Sequence, residues 1–534
     1  MRKRSINKGI LMLCVIAILS LVSTSVVEAV LMSVKISGNL VAGGEVNSFE
    51  LSPDGQYTVF IADAINYEIQ DLFSVPSTGG TRILLSPGMT GLVMVKGFII
   101  SPDSQRVVYW VGPPSPPSED NQITGIYSVA ITGGSVINLS GILTGDKRLD
   151  DIAVSSNNQH VAFTILTFTP DDPLGITHYM ELWSVPLLGG NTVLLESLPK
   201  GNIDFQITPN GAEIVFIRFP LGNLSTLWRT NMSGDNQEQL AGNEIQEFAI
   251  TADGNRVIYT KQEIPPITEL YSVSIEGGVS IKLNGELIAG GSVIDFKVSP
   301  DPDRDYVVYR ADEVVNDQDE IFSVPAAGLG SRVRLLSGSD NPNFDVRSYQ
   351  ITPNGLGVVY KADVLADERF DLGSVSITGV PPHYWLNGSM VAGGQVMLYS
   401  ISPDSSKVVF TADLNTLGVV ELFVVTITGT NLTKLNTVLP PGGDVLGFQI
   451  SHNSQFVVYY ANQELSDINN LYLAGGGLPP IKLSNLSHKL DLIDYDITSD
   501  SKGVIYRADQ DTYGKWELYS IFDRFPVYLP LLVR

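Results

Sequence analysis

Five aspartates carry the first suggestion of chemistry. Asp63, Asp312, Asp363, Asp413 and Asp509 each follow an alanine at the end of a short apolar run. Carboxylate oxygens are the ligands that hard cations take, so a circle of such residues is a cation site in outline. Asp509-Gln510-Asp511-Thr512-Tyr513-Gly514 resembles the opening of a calcium loop, but no glutamate stands where the bidentate ligand belongs. The alternative is structural: aspartate closes a strand and caps the loop after it. Capping is the simpler account. The expectation is no cofactor, with calcium as the one ion the pattern admits.

A second group lies in two stretches. The first holds Trp110, Glu119 and Asp120 among four prolines; the second holds Phe168, Asp171, Asp172, His178 and Tyr179. Other routes to catalysis are poorly supported. No Gly-x-Ser-x-Gly elbow is present, and no glycine loop stands ahead of a helix to cradle phosphate. The five histidines, His160, His178, His383, His452 and His488, are scattered, whereas a catalytic zinc needs three converging ligands.

These residues are held by a repeat. Ten units align on Ser52, Ser101, Ser155, Thr208, Thr251, Ser299, Thr352, Ser402, Ser451 and Thr498, spaced 43 to 54 residues apart. That period suits a four-stranded propeller blade. An apolar residue precedes each turn, and an aromatic or isoleucine stands two positions before that, giving the period of a strand. The turn often contains proline, as in Ser52-Pro53-Asp54-Gly55. Strand two ends in an apolar–aromatic pair such as Val59-Phe60. Strand three reads Leu72-Phe73-Ser74-Val75 or close to it. A Gly-Gly hairpin such as Gly79-Gly80 leads to a short fourth strand. Each sheet has two apolar faces that only neighbouring sheets can cover. We therefore expect an all-β fold, a β-propeller of about ten four-stranded blades in one ring over 33–523. Two smaller propellers in tandem are the alternative.

Closure has its own signature. Ser33 to Gly44 matches Ile281 to Gly291 and Leu386 to Gly394, which are fourth strands with their crossovers. The N-terminal copy has no blade before it, so it is expected to complete blade 10. Phe525 to Arg534 is the competing donor. The segment 524–534 is otherwise an outer strand or a sorting tail.

The units at Ile401-Ser402-Pro403-Asp404, Val408-Val409-Phe410-Thr411-Ala412-Asp413 and Glu421-Leu422-Phe423 resemble the Pro-Asp repeats of TolB-type propellers. The same repeat forms the N-terminal propeller of dipeptidyl-peptidase-like serine peptidases. The resemblance spans nearly all of 33–523 and implies a periplasmic or extracellular interaction domain. It is specific for fold and poor for function, because the repeat hosts unrelated tasks. Some relatives are metal-dependent polysaccharide lyases with histidines in the channel, and these five histidines do not map onto such a set.

Composition sets further bounds. Basic Arg2, Lys3, Arg4 and Lys8 precede an apolar stretch and Val27-Glu28-Ala29, the form of a cleaved secretory signal over 1–29. The only cysteine, Cys14, falls within that stretch, which excludes disulfides and thiol chemistry from the mature chain. The formal charge is −24 and no Lys/Arg cluster is visible, which argues against nucleic-acid partners. No second apolar segment is long enough to span a membrane.

The main irregularity is in loop length. From the aromatic closing strand two to the residue opening strand three, blades 2 and 3 need 17 and 19 residues, the others 11 or 12. The two insertions are neighbours on one face. Insertions on one face of a repeat array often carry binding. The expectation is a secreted or periplasmic, non-enzymatic module for a protein or glycan of the cell envelope. A metal-dependent polysaccharide lyase or hydrolase working at the channel is the alternative.

Overall fold

The computed structural model describes residues 33–89, 93–114, 122–141, 143, 145–168, 178–263, 267–315, 318–336, 344–364, 368–475, 477–486 and 494–522. They form ten four-stranded antiparallel sheets arranged as one ring. In blade 1 the strands are Val46–Leu51, Tyr57–Ala62, Asp71–Pro76 and Ile83–Leu84, paired in chain order. The next eight blades repeat this order. Blade 10 draws Asp494–Ile497, Gly503–Ala508 and Glu517–Phe522 from the end of the chain, and its fourth strand is Val34–Lys35. Val34 pairs with Ser520 and Lys35 with Tyr519, so the N-terminal copy closes the ring as its sequence match implies.

The repeat pattern has a direct physical cause. The aromatic ending strand two lies opposite the aromatic of strand three and stacks on it. Phe60 on Phe73, Tyr309 on Phe322 and Tyr506 on Tyr519 are spaced by 5.4, 5.3 and 5.4 Å. The valine before it faces the next blade: Val59 packs with Val107 and Tyr109, and Val409 with Val457 and Tyr459. The turn is self-capped. Ser52 Oγ donates to Asp54 at 2.6 Å and accepts the Tyr57 amide at 2.9 Å.

Every joint between blades is bonded. Serines at positive φ in the turns of blades 2, 8, 9 and 10 accept an amide from the preceding blade: Asp54 to Ser104, Asn354 to Ser405, Asp404 to Ser454 and Asn453 to Ser501. The variable residue inside strand one does similar work when it is long and polar. Gln206, Lys297, Gln350 and Gln449 each donate to a strand-one carbonyl of the following blade. Apolar clusters also cross the joint of blades 5 and 6, where Ile258 and Leu270 pack with Phe296 and Val307. Nothing in this continuous series marks a division into two smaller rings.

Candidate functional site

The five Ala-Asp aspartates sit in five different blades, and all are buried. Their oxygens accept backbone amides from the loop that follows, from the segment before strand one of the same blade, or from both. Asp63 takes Glu45 N at 2.5 Å and Glu68 N at 3.3 Å; Asp363 takes Asp345 N at 2.5 Å and Glu368 N at 3.3 Å. Asp413 takes Gln395 N at 2.5 Å and Gly418 N at 3.1 Å. Asp312 takes Ser292 N, and Asp509 takes Gly514 N at 2.9 Å. In the calcium-like stretch, Asp511 pairs with Lys35 at 3.3 Å. Asn462 plays the same part in blade 9, accepting Asp444 N. A neutral amide in the series fits capping better than cation binding. Among the described residues, no three His, Cys, Asp or Glu side chains converge to hold a metal.

Blades 2 to 5 lack this cap and are built differently on the same face. Strand two spans seven residues in blade 2, nine in blade 3 and eight in blades 4 and 5, against six in every other blade. Where the Asx-capped loop is missing, the hairpin runs on as paired strand. In blade 3 the pairing reaches Phe168 opposite His178 and Thr167 opposite Tyr179.

The extended blades bring several of the expected residues together. Phe168 and His178 rings lie 6.3 Å apart, and the Arg148 guanidinium sits 4.8 Å over Phe168. Arg148 also pairs with Asp146 at 3.3 Å and bridges to Gln122 of blade 2. Tyr179 is exposed. Trp110 lies across Gly97 of the adjacent strand. A Cβ at that glycine would stand 2.2 Å from the indole, so glycine is what lets the ring lie flat there. Trp110 then forms one wall of a cavity of about 280 Å³ whose other walls are Leu149, Asp150, Asp151 and Ile152 of blade 3. Glu119, Asp120, Asp171 and Asp172 lie outside the described residues, as do 1–29 and 524–534.

Below the raised hairpins runs an acidic arc that the sequence pattern did not single out. The residue before the strand-one aromatic or its equivalent is Asp151, Asp204, Glu247 and Asp295 in blades 3 to 6, with Asp150 beside the first. Partial burial raises the Asp204 carboxyl, and Asp150 and Asp151 raise it further. Burial likewise raises Asp150, and burial followed by Asp295 raises Glu247. Asp151 accepts the Ile152 amide at 2.8 Å and Asp204 the Asn202 side chain at 3.2 Å, whereas Asp295 pairs with a cation, Arg310 at 2.7 Å, and accepts from the Tyr349 hydroxyl at 2.8 Å. The available signal was the acidic residue recurring at one fixed register position.

No family model matches the chain, and no curated protein matches it in sequence. Solved structures that are similar include a eukaryotic initiation factor, at 10% identity and TM-score 0.45, covering 75% of this chain and 90% of that one. An oligogalacturonate lyase in complex with manganese matches at 13% identity and TM-score 0.34, covering 62% and 89%. The β-propeller domain of the Trilobed protease from Pyrococcus furiosus matches at 13% and 0.31, covering 65% and 98%. Likeness at this level extends to the propeller architecture and no further.

Proposed function

We propose that the chain is an extracytoplasmic, TolB-type propeller that serves as a non-enzymatic binding module. Its recognition surface is the face on which blades 2 to 5 raise their hairpins, and its partner is a protein or glycan of the cell envelope. The observation that carries this reading is local asymmetry. Six blades close that face with short Asx-capped loops, while four consecutive blades build it up, and three of these carry the four carboxylates Asp150, Asp151, Asp204 and Glu247. Crowded carboxylates without cations attract positive charge. A polypeptide segment bearing basic side chains therefore suits the arc better than a neutral sugar does. The secretory pattern of 1–29 supports the location.

The test is capture from native cell envelope by the immobilised mature chain, compared with the Asp150→Asn/Asp204→Asn variant. A basic partner should be lost from the variant and should elute with salt. Capture that resists salt and survives the substitution would point to a glycan held by the aromatic side chains. Capture unaffected by shortening the blade 3 hairpin would refute this surface.

The enzymatic reading draws on one observation, the raised carboxyl of Asp204 beside Asp150 and Asp151. Paired carboxyls with separated proton affinities can divide acid and base roles. Such an enzyme would cleave an oligosaccharide with a bell-shaped pH profile. Asp204→Asn would abolish cleavage and leave binding intact.

A further inference from the structure

A second cavity lies at the opposite ends of the strands, between blades 8 and 9. It has a volume of about 650 Å³, within the ~300–1,000 Å³ usual for small-molecule sites. Three coordinated departures from the repeat open it.

The first is in strand three of blade 8. Most blades place a serine after the aromatic, and it is buried: Ser74, Ser128, Ser184, Ser272 and Ser374 are at most 3% exposed. Ser74 and Ser374 donate at 2.6 Å to the carbonyls of Ile131 and Ile427 in the next blade's hairpin, drawing it over them. Blade 8 has Val424 instead. It cannot make that bond, and it is less buried than the serines it replaces.

The second is in blade 9. Seven blades carry valine at the next position, whereas blade 9 has Ala474 followed by Gly475. The small residues leave blade 8 partly uncovered. Leu435 shows this: its counterparts Leu85, Leu139, Leu283, Leu386 and Leu483 are all buried, but Leu435 is only partly buried.

The third is Lys407, at the start of strand two. Arg106 and Arg256 hold the same position in blades 2 and 5, and each donates to the strand-three serine of its own blade, Ser128 at 2.7 Å and Ser272 at 2.6 Å. With Val424 in place of that serine, the Lys407 ammonium has no hydrogen-bond or ion-pair partner among the described residues. The Asp404 carboxylate feels the Lys407 charge but accepts its hydrogen bonds from Ser402 and Ser406. Lys434, also on the cleft wall, pairs with Glu421 at 2.7 Å. In a chain of formal charge −24, two lysines and no carboxylate line this cleft. Its apolar walls are Val409, Val424, Leu435, Phe456, Val457 and Pro480.

We propose that the blade 8/9 cleft binds a small amphiphilic organic anion. The apolar body lies between Val424 and Val457, and the single anionic head accepts from Lys407. A buried apolar body supplies affinity, and a charge-assisted hydrogen bond fixes orientation.

The probes are 8-anilino-1-naphthalenesulfonate and decanoate, with 1-decanol as the uncharged comparison, added to the folded mature chain. The dye should bind one to one with enhanced fluorescence, and decanoate should displace it. Ala474→Leu should fill the cleft and weaken both at least about tenfold. Ala474→Val, the residue of the other blades, should do so to a lesser degree and provides the test if leucine is not accommodated. Lys407→Gln should weaken decanoate about tenfold, equivalent to ~1.4 kcal/mol, and leave decanol unchanged. Absence of stoichiometric binding would overturn the proposal, and so would binding indifferent to residue 474. Equal loss of decanoate and decanol in Lys407→Gln would overturn the anionic head.

Discussion

One buried carboxyl in blade 1 lacks the ion pair that several blades make at its position. The residue before the strand-three leucine or isoleucine is acidic in seven blades, and in several of them a cation on strand four meets it. Lys35 pairs with Glu517 at 3.1 Å, Lys282 with Glu269 at 2.6 Å and Lys434 with Glu421 at 2.7 Å. In blade 1 the cation's register position holds Leu84, and Asp71, 4% exposed, has only the Ser86 hydroxyl at 3.4 Å. Burial raises its carboxyl to about 6. The folded state then holds this proton more tightly than the unfolded chain does. Stability therefore falls as pH rises from near 4 to 6, and is level above that. Blade 9 offers the native alternative, Asn470 with Ser484 in the same cradle. Asp71→Asn should stabilise the protein by ~1–3 kcal/mol at pH 7 and by little below pH 4. Urea denaturation at the two pH values checks this; an equal effect at both would show that charge is not the cause.

Among the elements, the loops after strand two divide the ring, and their logic was only half legible in the sequence. The Ala-Asp motif was plain, but a carboxylate looks the same whether it awaits a cation or accepts amides. The structure adds that Asp63 accepts the amides of Glu45 and Glu68. The hairpins of blades 4 and 5 were hidden because loop length hardly changes when a capped loop becomes paired strand. The absence of Ala-Asp was their only trace. The acidic arc escaped because alternation marks which face a residue takes, not that Asp150, Asp151 and Asp204 from two blades will crowd together. The blade 8/9 cleft needed three registers compared at once. Capping itself gives a graded test. Asp413→Ala removes the acceptor of two amides and should cost ~1–3 kcal/mol. Asp413→Asn should cost less, since Asn462 already caps blade 9. Chemical denaturation should rank wild type above asparagine and asparagine above alanine. A cation site would instead make both variants alike and the wild type sensitive to chelators.

For the whole molecule, stability depends on the one joint made from distant parts of the chain. The match of Ser33 to Gly44 with two internal fourth strands made this joint legible, because a closing strand must satisfy the same neighbours as the strand it replaces. Ile36 N donates to Leu518 O at 2.8 Å, and Ile36 is buried with Val46, Phe60, Ile505 and Leu518 from blades 1 and 10. Arg507 reaches across to the carbonyls of Val46 and Asn47. In every other blade a hairpin also ties the fourth strand to the third, whereas in blade 10 the fourth strand is held to the third only by packing and hydrogen bonds. Ile36→Ala should therefore cost ~2–5 kcal/mol, as for other fully buried aliphatics. Val34→Ala, two residues earlier at an exposed position, should change stability by less than ~0.5 kcal/mol. The location of the loss distinguishes a closing joint from ordinary core. Faster amide exchange should appear in Glu517–Phe522 and Val46–Ala62 first, with Arg256–Ser274 on blade 5 unchanged. Exchange that rose evenly around the ring would mean that all ten joints open together, and that the N-terminal strand is one contact among many.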